Sequence, residues 1–258
     1  MKIKYPHRSI RLLAVLTSFG IAPYAGAEVL TLTSGADSML RSDVSSSNFG
    51  SDTGFFVGTL ASSGANDLRL VFSYDLSTLL PAGATISSIS FTLTQRSPDG
   101  TSADKILSLS LASLTQSFAE SQVSWNNRQT SNLWTTLGGS IGTTLSTTTA
   151  FTKSVANTLV TFSSSTSFVS VAQSALDTAS TFNFLVYAPD QEGLTDRALT
   201  SFYSKENGIS SLNPALTITY TVAAVPEPSS VAILAGSVAL AMGVWCKKKH
   251  SRLGLTQG

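Results

Sequence analysis

Histidine, cysteine and charge are all scarce in this chain, and each shortage removes a class of chemistry. Of 258 residues, two are histidine and one is cysteine. His7 and His250 stand near the two ends and Cys246 follows an apolar run close to the C-terminus, so the stretch from Glu28 to Val225 holds neither type. A Ser-His-Asp or Cys-His nucleophile cannot be assembled there. A zinc site of the usual His/Cys kind has no ligands, and no disulfide can form within the body. No glycine-rich phosphate loop precedes a helical pattern. The catalytic device left open is a pair of carboxylates, about 5 to 9.5 Å apart in a cleft, as in glycosidases. Many acids offer such pairs without singling one out. The chain is therefore read as not an enzyme, with a carboxylate-based glycan-cleaving activity as a distant third reading.

Charged residues make up 12% of the sequence, and the formal net charge of +1 hides how they are placed. Lys2, Lys4, Arg8, Arg11, Lys247, Lys248, Lys249 and Arg252 all belong to the two ends. Between Glu28 and Val225 stand eight bases and fourteen acids, a net charge of −6. That balance argues against a nucleic-acid partner, which needs a basic face to neutralise phosphates. It leaves room for a polyanionic glycan held by a few local bases.

The ends carry addresses. Met1 to Arg11 is basic and free of acid, Leu12 to Ala22 is apolar but short, and Ala25-Gly26-Ala27 supplies small residues at a cleavage site. Residues 1–27 are thus expected to be a secretory signal peptide, with signal peptidase as a partner. At the other end, Val225-Pro226-Glu227-Pro228 precedes an uncharged run from Ser229, which is followed by Lys247-Lys248-Lys249. At about 1.5 Å per residue, such a helix over 229–246 nearly spans a hydrocarbon core of roughly 30 Å. The basic tail, 247–258, would then be held on the cytoplasmic side. This ordered set resembles the PEP-CTERM sorting signal of exopolysaccharide-producing bacteria. The resemblance implies an exosortase-like membrane protease acting near Pro226-Glu227-Pro228, and a body exported to the envelope or beyond, anchored until processed. A plain membrane anchor behind a stiff linker, 223–228, is the simpler alternative.

The body, 28–222, is long enough for one domain with a sizeable core. Alternating runs recur at Val29–Thr33, Leu68–Tyr74, Ile86–Thr94, Ile106–Leu114 (with a one-residue slip), Thr181–Tyr187 and Ala215–Val222. Apolar residues at every second position, with Ser or Thr between, predict half-buried antiparallel strands. Ser97-Pro98-Asp99-Gly100, Gly138-Gly139 and Asn207-Gly208 separate them as turns. Only Thr166–Thr178 has helical spacing, with Phe168, Val171, Ala172, Ala175 and Leu176 on one face. The fold class expected is all-β: a two-sheet antiparallel sandwich of jelly-roll type with one short helix, plus the signal peptide and the transmembrane helix.

Four stretches resemble, in order, the DNRLRE-type domain, a secreted jelly-roll family that includes alginate-binding carbohydrate-binding modules. They are Ala36-Asp37-Ser38 through Asn48-Phe49-Gly50-Ser51 to Phe56-Val57-Gly58; Leu68 through Ser77 with Pro81 to Ile86; Val123-Ser124-Trp125-Asn126-Asn127; and Phe202-Tyr203-Ser204-Lys205-Glu206 before Pro214-Ala215-Leu216. The chain departs from the pattern at Lys205, where an arginine is expected before the acid. The resemblance implies a carbohydrate-binding, non-catalytic sandwich, with acidic polysaccharide as partner.

The candidate ligand residues are Arg69, Trp125, Trp134 and Lys205. Arg69 either grips a uronate or is buried against a carboxylate, for which Asp75 and Glu206 are candidates. Trp125 either stacks on a sugar ring or closes one end of the core, and Trp134, in a Ser/Thr-rich loop, is expected as an exposed platform. A structural Ca²⁺ is the one cofactor expected. Asp190, Glu192 and Asp196 around Gly193 are its candidate ligands, and Asp37 with Asp43 offers a second cluster. The leading function is an exported, polysaccharide-binding envelope or matrix protein. The alternative is a non-catalytic structural surface or biofilm component without a defined ligand.

Overall fold

The structure, a computed structural model, describes residues 26–33, 35–60, 66–96, 106–148, 151–152, 156–195 and 197–223. The signal-peptide residues before Gly26, the Pro226-Glu227-Pro228 motif, the 229–246 run and Lys247 to Lys249 lie outside them. Residues 25–223 form one compact unit.

In chain order the described elements are β1 (Ala27–Leu32), β2 (Ala36–Arg41), β3 (Gly54–Leu60), β4 (Asn66–Tyr74), α1 (Leu76–Leu79), β5 (Ala84–Thr94), β6 (Ile106–Leu107), β7 (Ser110–Leu114), β8 (Asn127–Gln129), β9 (Asn132–Leu133), β10 (Ile141–Thr147), β11 (Phe151–Thr152), β12 (Leu159–Phe162), α2 (Thr166–Asp177), β13 (Phe182–Tyr187), β14 (Ala198–Tyr203) and β15 (Ala215–Val222). Two 3-10 turns, Lys205–Asn207 and Ser210–Leu212, lie between β14 and β15.

A four-stranded sheet runs β1-β15-β5-β12, and a seven-stranded sheet runs β10-β7-β13-β4-β3-β14, with β2 also paired to β4. All their pairings are antiparallel. Alternation in β5 sends Ile89, Phe91 and Leu93 inward, and β4 answers with Leu68, Leu70, Phe72 and Tyr74. The rings interlock: Phe72 meets Phe91 edge-on at 4.7 Å, and Phe184 of β13 lies 4.9 Å from Phe91 and 5.0 Å from Phe182. Such pairs add about 0.5–1.5 kcal/mol each beyond their buried area. Helix α2 covers one side of this core with Phe168, Ala172 and Ala175, at helical spacing. Ser165 caps its start, accepting from the Phe168 N–H at 3.0 Å.

The expected all-β, two-sheet jelly roll with one helix is corrected. The described residues form a mixed, mostly β fold with four sheets, since β6-β11 and β8-β9 make two small ladders of their own, and with two α-helices. Neither large sheet closes into a barrel. The physical reason is that the larger sheet is covered on both faces. Leu40, Val71, Leu114 and Leu185 point away from the main core and are buried under Val123 and Trp134. The segment between β7 and β10 therefore forms a third layer, not an exposed loop. Among the described residues no helix is long and apolar enough to cross a membrane; the expected transmembrane helix, 229–246, lies outside them.

Candidate functional site

Three acids far apart in sequence converge at one end of the larger sheet. Asp37 sits on β2 opposite Phe72, on the face that also carries Met39. Glu120 sits in a tight turn whose Gln122 and Val123 N–H groups both donate to the Ala119 carbonyl, at 3.0 and 2.8 Å. The Asn48 side chain clamps that turn, donating to the carbonyls of Glu120 (2.6 Å) and Val123 (2.7 Å). Gly50 allows the approach, because a Cβ there would lie 2.5 Å from the Glu120 carbonyl oxygen. Glu206 belongs to the 3-10 turn that Ser204 opens: the Ser204 hydroxyl accepts from the Glu206 N–H at 3.2 Å and donates to the Asp52 carbonyl at 2.5 Å.

The three carboxylates offer oxygens within 4.8 Å of one another. Two oxygens that far apart can share one ion at about 2.4 Å from each, the range of Ca²⁺–oxygen bonds. Lys205 lies among them. Its ammonium donates to Oε1 of Glu120 and Oε1 of Glu206 and lies 3.6 Å from Asp37 Oδ1. Its backbone N–H donates to Asp37 Oδ2 at 3.0 Å, and Glu120 Oε1 also accepts from the Asp37 N–H at 2.8 Å. One ammonium does not satisfy three carboxylates. Asp37 Oδ1 and Glu206 Oε2 are buried without a hydrogen-bond partner, and the Asp37 side chain is only 3% exposed. Buried polar atoms without partners are rare, and each asks for an explanation.

The electrostatics agree. Burial pushes the Asp37 carboxyl up to about 8; the Lys205 N–H pulls against this, while Glu206 and Glu120 add to it. Burial disfavours the Lys205 charge, but its bonds to Glu120 and Glu206 outweigh that and hold its pKa above the ordinary value. The site thus resists a third full negative charge, and Asp37, the deepest of the three, keeps its proton at neutral pH until a cation arrives. The acidic triad can coordinate a divalent cation through an all-oxygen ligand set.

The residues named from sequence fall elsewhere, except Lys205, Asp37 and Glu206, the last named only as a possible partner of Arg69. Asp190 is exposed, Asp196 lies outside the described residues, and Glu192 is engaged by Arg69. Arg69 projects from β4 to the outer face and donates to both Glu192 oxygens, at 2.6 and 2.9 Å, and to the Gly138 carbonyl at 2.9 Å. Its guanidinium also lies 5.1 Å from the centre of the Trp125 ring. Its carboxylate partner is therefore Glu192, neither Asp75 nor Glu206. Asp75 accepts from the Ser77 hydroxyl. Asp43 accepts from Arg41 at 3.1 and 2.6 Å, so it does not join Asp37. Trp134, expected in the open, is 3% exposed and donates its indole N–H to the Ser124 carbonyl at 2.9 Å. Trp125 is half-buried against the same outer cluster. Glu120 escaped sequence reading altogether; its one signal is its place three residues before the Val123-Ser124-Trp125 stretch.

No family model matches the chain, and no curated protein matches it. The polysaccharide-binding function drawn from the resemblance is corrected accordingly. No comparison supports the partners signal peptidase, exosortase-like protease, acidic polysaccharide and membrane, or the exported, membrane-anchored localisation, and these calls are corrected to that extent; residues 1–25 and 224–258, which carry the expected signal and anchor, lie outside the described residues. The structure adds its own reason against a glycan-binding sandwich. None of the large apolar side chains exposed among the described residues is aromatic, so they present no row of rings for a sugar to stack on.

Proposed function

We propose that the described domain is a non-catalytic structural component without an organic ligand, and that Asp37, Glu120 and Glu206 hold a structural Ca²⁺. The observation that carries the structural reading is that two grooves among the described residues lack ionised side chains. An open groove of about 610 Å³ beside the start of α2 is lined by Ser, Thr, Val and Gln, and one of about 410 Å³ between α2 and β13 by small, apolar and amide side chains. Neither is lined by a carboxylate, a base or a tryptophan. The ionised side chains instead tie segments together, as Arg69 ties β4 to two loops and Lys205 ties three.

The outer face of the four-stranded sheet is likewise unequipped for recognition. Hydroxyls meet hydroxyls across its strands, Thr31 with Thr217 at 3.2 Å and Thr92 with Thr161 at 3.1 Å. Calcium suits the triad because its donors are hard oxygens on turns that can adjust, and because it needs no histidine or cysteine. Asp37 must give up its proton to bind, so metal binding and proton release are linked there.

Calorimetric melting of the full chain in calcium chloride, in a chelator, and with acidic or neutral polysaccharides tests both halves. Near-saturating calcium, at about 100 times its Kd, is expected to raise Tm by roughly 5–10 °C, and polysaccharides to leave it unmoved. No calcium shift at millimolar concentration defeats the metal assignment. A saturable shift with a glycan defeats the structural one.

A further inference from the structure

We infer that cation binding at the triad is an exchange, in which the metal displaces the Lys205 ammonium from its place among the carboxylates. This rests on the reading that Asp37, Glu120 and Glu206 hold Ca²⁺. The ammonium is bonded to two of the oxygens a metal would use, Oε1 of Glu120 and Oε1 of Glu206, and lies 3.6 Å from the third carboxylate at Asp37 Oδ1. An ion about 2.3–2.6 Å from these oxygens fills the volume the nitrogen holds. Two cations confined there would also repel each other strongly in a partly buried site.

The geometry gives the displaced group somewhere to go. The Lys205 side chain is 23% exposed, and its flexible stem can carry the head to solvent. Its backbone need not move, because the Lys205 N–H holds Asp37 Oδ2 at 3.0 Å independently of the ammonium. The 3-10 turn, and Glu206 with it, therefore stays docked while the charge is exchanged. Lys205 would then hold the carboxylates together in the cation-free protein and lower the affinity of the metal-loaded one. An arginine here would keep five donors on a rigid fork and be harder to expel; the single-headed lysine makes the site exchangeable.

The two roles give opposite signs on one substitution. In the full chain, Lys205→Met is expected to bind calcium about tenfold tighter by calorimetric titration, while melting at lower temperature than the parent in chelator. A lysine that only supports the fold would give the lower melting temperature without tighter calcium binding. Equal or weaker binding by the variant overturns the exchange and leaves the metal site standing. Absence of calcium binding to both proteins removes the metal site and the exchange together.

Should Lys205→Met fail to fold, the parent chain decides alone. Acetylation of Lys205 by an amine-reactive ester, read by peptide mass spectrometry, is expected to accelerate several-fold on adding calcium chloride. An unchanged rate under conditions where calcium binds refutes displacement.

Discussion

Replacing Arg69 with methionine removes a cation that three segments depend on. Its side chain is 10% exposed and its partner Glu192 is 22% exposed. The guanidinium forms two bonds to Glu192 and one to the Gly138 carbonyl. Deleting one member of a buried pair costs about 3–5 kcal/mol, because the other charge stays behind. Glu192 keeps some contact with water, which places its share near the lower end, about 3 kcal/mol. The Gly138 carbonyl adds about 1 kcal/mol. For a domain of this size, the sum corresponds to a fall in Tm of roughly 8–16 °C. Urea unfolding is the sharper assay, since a lower midpoint at unchanged slope isolates stability from compactness. Arg69→Lys is expected to recover little, because an ammonium cannot grip both Glu192 oxygens and the carbonyl together. Arg69→Met with Glu192→Leu is expected to recover much of the loss. A single Arg69→Met variant within about 0.5 kcal/mol of the parent would refute the argument.

Two further outcomes follow from local geometry. Gly138→Ala should destabilise by more than about 1 kcal/mol in the same assay, since φ is +78° and the new Cβ would lie 2.7 Å from the Trp125 ring; a neutral effect would show that the ring is not held in place. Arg41 holds the Asp43 carboxyl below its ordinary value of 3.8. A depressed folded-state pKa adds stability that is present above that value and lost as pH falls through the folded one, so Arg41→Gln should flatten the acid limb of a melting-temperature profile. With side chains 26% and 24% exposed, the effect should stay under about 1 kcal/mol.

Strands that face water on one side were legible in the sequence. β5 and β15 alternate, and their period announces them. The run expected over Ile106–Leu114 slips by one residue, and the chain breaks there into β6 and β7. β2, β3 and β14 were not legible because nearly every position in them is buried and polar and small residues fall among the apolar ones without a period of two; β4 and β13 of the same sheet were read from their richer apolar runs. The segment with Trp134 misled for a related reason: its Ser and Thr content reads as loop, yet its few large side chains bury the outer face. The triad was the least legible feature. Asp37 and Glu120 are 83 positions apart, and Lys205 lies 168 from Asp37. No local spacing can announce a site that only strand order assembles.

That separation has a consequence for how the domain is kept closed. A body without a single cysteine cannot fasten its early and late strands covalently. A disulfide between positions 37 and 205 would restrict the unfolded chain by several kcal/mol, whereas the contact made here opens on unfolding and must instead meet the cost of closing that loop. Here the fastener is ionic and reversible. Reductants have nothing in the body to cut, whereas salt and acid can each loosen it.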